Sequence, residues 1–341
     1  MSDDYLWDRR GTPDPDVVRL ERLLGAWRLA ASKTTMPARL AGPRRSAPFI
    51  LMLLAEAAMV AAIVGSAWFG RFAIAGPGLE VTRLSGTPSV GAQPVGDRGE
   101  LRTGGWLQTD AQSRASLEIP NVGRVEIDPM TRLGLLSTRP GDYRLQLGRG
   151  TMHALIWAPP GQFFVETPSS TAVDLGCAYT LTIDDQGTGL VRVTSGWVGF
   201  EWRGRESFIP MGAVCHTRRG VGPGTPHFEE TSDAFRDALE AIDLTRGSAE
   251  SRAAGLRLVL AESIPRDALT LWHLLARVGV DQRDAVFDRL SQFVPPPAGV
   301  TRGGVRSGDR VMLDAWWDAM GFGSANWWRV WKQQWRDGPG R

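Results

Sequence analysis

Two cysteines and four histidines are the residues of this 341-residue chain best suited to hold a metal or attack a substrate. Cys177 and Cys215 have no second cysteine or histidine at zinc-ligand spacing, apart from the immediate neighbour His216. His153, His216, His227 and His273 stand in no metal, nucleophile-elbow or phosphate-loop context. The glycine patterns GRG and GVGPG lack the strand-to-helix placement a nucleotide site needs. The acid pairs Asp184/Asp185 and Glu229/Glu230 fit a turn and a linker rather than an acid–base dyad. These residue types therefore point to no metal, no cofactor and no catalysis, and the chain reads as a non-enzyme. A net charge of +2, with Lys and Arg scattered rather than striped, argues equally against direct nucleic-acid binding.

The elements that carry these residues change character along the chain. "PFILMLLAEAAMVAAIVGSAWF", Pro48 to Phe69, has the length to cross a bilayer as a helix. Arg28, Lys33, Arg39, Arg44 and Arg45 precede it, whereas only Arg71 and Arg83 follow closely, so the N-terminus is expected in the cytoplasm and the rest outside. The rival reading is a signal peptide cleaved at Ala73 to Ala75, but the apolar run is long and begins late for one. Glu56 inside the span is costly in lipid unless protonated or facing a partner helix.

Residues 1–47 form an arm too short to bury its own core. It opens on Tyr5, Leu6 and Trp7, breaks at Gly11 and Pro13, and then offers Asp14 as a helix cap with Pro15 at the first position. Val17, Leu20, Leu24 and Trp27 recur at helical spacing with Leu23 beside them, so one face is apolar and wants a partner, a second copy or a membrane surface.

From Leu79 to about Phe228 the texture becomes short alternating runs divided by Gly, Pro, Asn and Asp, an all-β signature. Tyr143, Leu145 and Leu147 are expected on one face, as are Cys177, Tyr179, Leu181 and Ile183, and "DDQG" (Asp184 to Gly187) reads as a hairpin turn. "PGTPHF", Pro223 to Phe228, reads as a linker into a helical region, residues 229–341. There Leu313, Trp316, Trp317 and Met320 share one face, and Trp327, Trp331 and Trp335 another. Packing on the preceding helices, an interfacial membrane helix and stacking on glycan all remain open for this tryptophan face.

"GWLQTD", "SLEIP", "VEIDPMTRL", "LQLGRGTMHALI", "FFVETPSSTAVDLGCAYTLTI" and "GLVRVTSGWVGF", in that order, resemble the FecR domain family over roughly residues 79–219. The arm sequence "DYLWDRRGTPDPDVVRLERLL" looks like the N-terminal segments of membrane anti-sigma factors. The resemblance implies a multidomain α+β protein of the bacterial inner membrane. It makes residues 79–228 a periplasmic jelly-roll-like β-sandwich, beside the cytoplasmic helical arm (1–47), the one transmembrane helix (48–69) and the all-α C-terminal module (229–341) read from the residues themselves; that module departs from the family's best-known members. The resemblance further implies a cytoplasmic sigma factor as partner, held through Tyr5, Leu6, Trp7, Leu20, Leu23 and Leu24. Where that family often has Thr after the glycine of "DLGC", this chain has Cys177. A Cys177–Cys215 disulfide would close a loop of about 38 residues, and two buried free thiols are the alternative. The competing functional reading is an anchored envelope protein that contacts glycan or another envelope protein through its β domain and tryptophan-rich tail.

Overall fold

The computed structural model describes residues 77–243 and 247–323. The arm, the predicted span with Pro48, Glu56 and Phe69, and Trp327, Trp331 and Trp335 lie outside the described residues. Among the described residues no helix is long and apolar enough to cross a membrane.

The first half of the β domain carries strands β1 (Leu79–Ser85), β2 (Ser89–Val90), β3 (Gln93–Pro94), β4 (Arg98–Leu101), β5 (Trp106–Gln108), β6 (Arg114–Ile119), β7 (Gly123–Ile127), β8 (Arg132–Arg139) and β9 (Asp142–Ile156). The second half carries β10 (Phe163–Glu166), β11 (Thr171–Asp174), β12 (Ala178–Ile183), β13 (Gly189–Ser195), β14 (Trp197–Trp202), β15 (Arg205–Pro210), β16 (Ala213–Arg218), β17 (Gly222–Pro223) and β18 (His227–Phe228). Helices α1 (Asp233–Asp243), α2 (Ala249–Glu262), α3 (Ala268–Leu275), α4 (Val280–Phe293), α5 (Arg302–Ser307) and α6 (Arg310–Ala319) follow. The domain is thus mostly β with a C-terminal helical module.

The strands make two sheets joined through β9. One runs β4-β1-β6-β7-β9-β12-β13-β16, with β17 and β18 on β16. The other runs β3-β2-β5-β8-β9-β10-β11-β14-β15, where β9 and β10 are parallel. The sequence suggests separate strands over "DYRLQLG" and "TMHALIW", but they are one 15-residue strand. Its first part pairs with β8 and β10, and from Gly150 onward it pairs with β12 and then β7. Gly150 has φ +92°, and a Cβ there would run into the Thr131 backbone, so only glycine permits the change of sheet. Conversely, "LVRVTSGWVGFEW" reads as one alternating run in the sequence but is not one strand. Gly196, at φ +66° and pressed against the Gly176 carbonyl, breaks it into β13 in one sheet and β14 in the other.

Alternation does fix the core. Cys177, Tyr179, Leu181 and Ile183 are all buried, while the intervening Thr180 and Thr182 face outward and bond across to β9. Asp184 to Gly187 is a turn: Asp184 Oδ1 accepts from Gln186 N at 2.9 Å and Thr188 N at 2.8 Å, with Gly187 at φ +80°. The expected linker Pro223 to Phe228 is instead buried, paired to β16 through β17 and β18. The apolar cores of sheets and helices are continuous, and the described residues form one compact unit.

Candidate functional site

The seam between β15 and the helices holds a buried ion-pair network. Helix α3, "ALTLWHLL", is apolar on nearly every side and buried along its whole length. Beside it β15 would otherwise be the free edge of its sheet. His273 on α3 closes that edge: its Nε2 accepts the Phe208 amide at 3.0 Å while Nδ1 donates to the Leu269 carbonyl at 2.8 Å. Two residues past α3, Arg277 continues the cap. Its NH2 donates to the Glu206 carbonyl at 2.9 Å and Ser207 Oγ at 2.7 Å, and its NH1 to Thr225 Oγ1 at 3.0 Å and Asp243 Oδ1 at 3.3 Å. Asp243, at the end of α1, also accepts from Arg205 and from the Thr225 amide. Thr270 Oγ1 ties α3 to the Pro226 carbonyl at 2.8 Å. One aspartate thus collects two arginines from two different elements and locks helices to sheet.

Aromatic rings fill the adjoining space. Trp317 on α6 stands edge-on to Trp272 at 4.7 Å between centroids, with Phe322, Phe208, Trp197 and His273 at 5.5 to 5.9 Å. Trp272 Nε1 donates to the Leu313 carbonyl and Trp316 Nε1 to the Val294 carbonyl. Trp316 and Trp317 are both buried and present no face to a glycan or a membrane.

Burial sets the ionisation of the seam. It pulls His273 down to about 3, helped by Arg277, so the imidazole stays neutral and keeps its acceptor nitrogen. His227, stacked on His216 at 5.9 Å beside a cavity of about 140 Å³, is held down to about 4, by burial first and His216 second. Among the described residues no group of three or more His, Cys, Asp or Glu is placed to hold a metal ion.

The two cysteines are free and buried, so the expected disulfide gives way to the buried-thiol alternative. Leu181 pairs with Val191, and Val191 with Cys215. Cys177 therefore lies two strands across and four residues along from Cys215, on the order of 15 Å, where a disulfide needs Cα atoms within about 7 Å. Cys215 donates to the Gly224 carbonyl at 3.2 Å, and burial pushes its thiol up to about 12. Cys177 donates to Asp174 Oδ2 at 2.6 Å, and burial likewise raises its pKa. Neither is an exposed thiolate, so neither is a ready nucleophile.

Asp174 is the ionisable group in this region with the clearest pH signature. It is 2% exposed, accepts from Gly176 N at 2.7 Å, and burial raises it to about 7. Its folded pKa lies above the unfolded value. As pH rises past about 4 the unfolded chain releases this proton and the fold does not, so stability falls until the folded acid itself ionises near 7. Asp174→Asn keeps an acceptor for Gly176 and has no proton to lose. The variant is expected to gain on the parent progressively between about pH 4 and pH 7 and then hold a constant lead, read by urea midpoints across pH. Parallel curves for the two proteins would refute it.

Sequence reasoning did not single out Asp174, Asp243 or Arg277. A histidine in a nearly all-apolar helix was the one available hint of the seam. The six arm residues Tyr5, Leu6, Trp7, Leu20, Leu23 and Leu24 lie outside the described residues.

Against known proteins, no family model matches the chain and no curated protein does. Two solved structures of a candidate anti-sigma factor from Parabacteroides distasonis ATCC 8503, at 1.65 Å and 2.50 Å, are similar to it at 12% identity. They cover 46% and 45% of this chain and 76% and 73% of their own, with TM-scores of 0.31 and 0.32. Likeness at that level assigns nothing to this chain.

Proposed function

We propose that the chain is a non-catalytic, transmembrane regulator of anti-sigma type that relays a cell-envelope signal to an extracytoplasmic-function sigma factor. In this reading it sits in the bacterial inner membrane, with residues 1–47 cytoplasmic, 48–69 spanning, and a periplasmic jelly-roll-like β domain carrying the helical module. The observation that carries it is the ordered FecR-like series, whose pieces from "GWLQTD" to "GLVRVTSGWVGF" fall on consecutive strands from β5 to β14. The charge asymmetry around the span and the apolar stripe of the arm supply the orientation and the binding face.

The test is affinity capture with the tagged full-length chain from solubilised native membranes, set against a Trp7→Ala/Leu20→Ala variant. A sigma factor enriched at least about tenfold by the parent over the variant is expected, as for loss of two anchors of an apolar groove contact. Equal recovery by both chains, or none by either, would remove the proposal.

A further inference from the structure

A second cavity opens on the other side of the seam, about 490 Å³, between the β14–β15 turn, the end of α3, the start of α4 and the α5–α6 corner. Five arginines line it: Arg203, Arg205, Arg277, Arg283 and Arg310, against the single acid Glu206. Their commitments differ. Arg277 and Arg205 are held by Asp243, and Arg310 lies 3.9 Å from Glu206. Arg203, exposed at the turn with its guanidinium 5.3 Å above the Trp202 ring, makes no ion pair among the described residues. Arg283 makes none either: its NH1 donates to the Arg306 carbonyl at 2.8 Å, and its Nε has no acceptor. The Nε of Arg205 also lacks one. Five guanidiniums against one carboxylate on one concave space, two of them outside any ion pair among the described residues, make a field that favours an anion. Phe208, Trp272 and Leu313 supply apolar wall, and the volume exceeds that of a bare inorganic ion and falls in the range of small-molecule sites.

We infer that this cleft is a binding site for a small organic oxyanion, a phosphate- or carboxylate-bearing metabolite whose charged group bridges Arg203 and Arg283 and whose body lies on the Phe208–Trp272 wall. Such a ligand spans the junction of β15 with α4 and α6, and so ties the helical module more firmly to the sheet. The inference stands apart from the anti-sigma reading and survives its failure.

Full-length protein in detergent is titrated calorimetrically with citrate as carboxylate probe and glucose 6-phosphate as phosphate probe, against sodium chloride at matched ionic strength. Saturable one-to-one binding of at least one probe, at or below the millimolar end of specific recognition, is expected, and the probe that binds names the charged group. Arg203→Gln/Arg283→Gln is expected to weaken that binding about tenfold or more through loss of two charge-assisted contacts. Arg203→Glu, a charge reversal in an exposed turn that leaves the fold unloaded, is expected to weaken it by itself. Binding of neither probe beyond the salt control overturns the site, as does undiminished binding by Arg203→Glu.

Discussion

Arg277→Leu is expected to lower the unfolding free energy by about 3–5 kcal/mol. The Arg277 side chain is 6% exposed and that of Asp243 3%, so both charges have left water. Burial pulls the guanidinium below its usual value and Asp243 pulls it back. Leucine would fill part of the volume, but it would strip Asp243 of one partner and leave the Glu206 carbonyl and Ser207 hydroxyl without their donor. Arg205 remains on Asp243, but it is 28% exposed and partly screened, so it compensates only in part. The melting temperature should fall by roughly 10 °C for a unit of this size, and added salt should change that difference little because the pair is dry. In Asp243→Asn the same Arg277 substitution should cost at least about 1 kcal/mol less, since the charge it strands is gone. A loss below about 1 kcal/mol in the parent background would show that the network does not hold the seam.

The second large effect is expected at Trp317, where alanine should cost about 3–5 kcal/mol and phenylalanine clearly less. The indole contacts Trp197 from β14, Phe208 from β15 and Trp272 from α3, so its removal opens a void shared by both sheet strands and the helical module. Because neighbours from three elements cannot all collapse into one hole, the upper part of that range applies. Near-UV circular dichroism should lose intensity, and amide exchange should quicken in α3 and β15 before the strands far from the seam. Uniform exchange throughout, with a change under about 1 kcal/mol, would make Trp317 an ordinary partly buried ring.

How much of this was readable beforehand divides along the range of the interactions. Period-two alternation located the inward face of β12, the strands around it and the Asp184 turn, because neighbouring residues alone decide them. The shared face of Leu313, Trp316 and Trp317 was legible for the same reason at helical period. Gly150 and Gly196 misled in opposite directions: one lets a strand pass between sheets and the other ends a strand within an unbroken apolar run. The segment Pro223 to Phe228 has turn composition, yet the helices cover it. The seam itself was invisible because Arg277 meets Asp243, Thr225 and Glu206 across 34, 52 and 71 residues, and no local pattern records such a pairing. The separation of the cysteines belongs to the same class, being set by strand order rather than spacing.

The edge of β15 is sealed by an imidazole and a guanidinium rather than by another strand, and this has a consequence in time. Ribosomes deliver β15 first, and His273 and Arg277 arrive only about 65 residues later, some 3–13 s at ordinary elongation rates. Through that interval the nascent sheet offers an uncapped row of amides and carbonyls, the kind of template on which stray chains add strands. The newborn β domain therefore depends on whatever shields it during those seconds, and the finished protein does not.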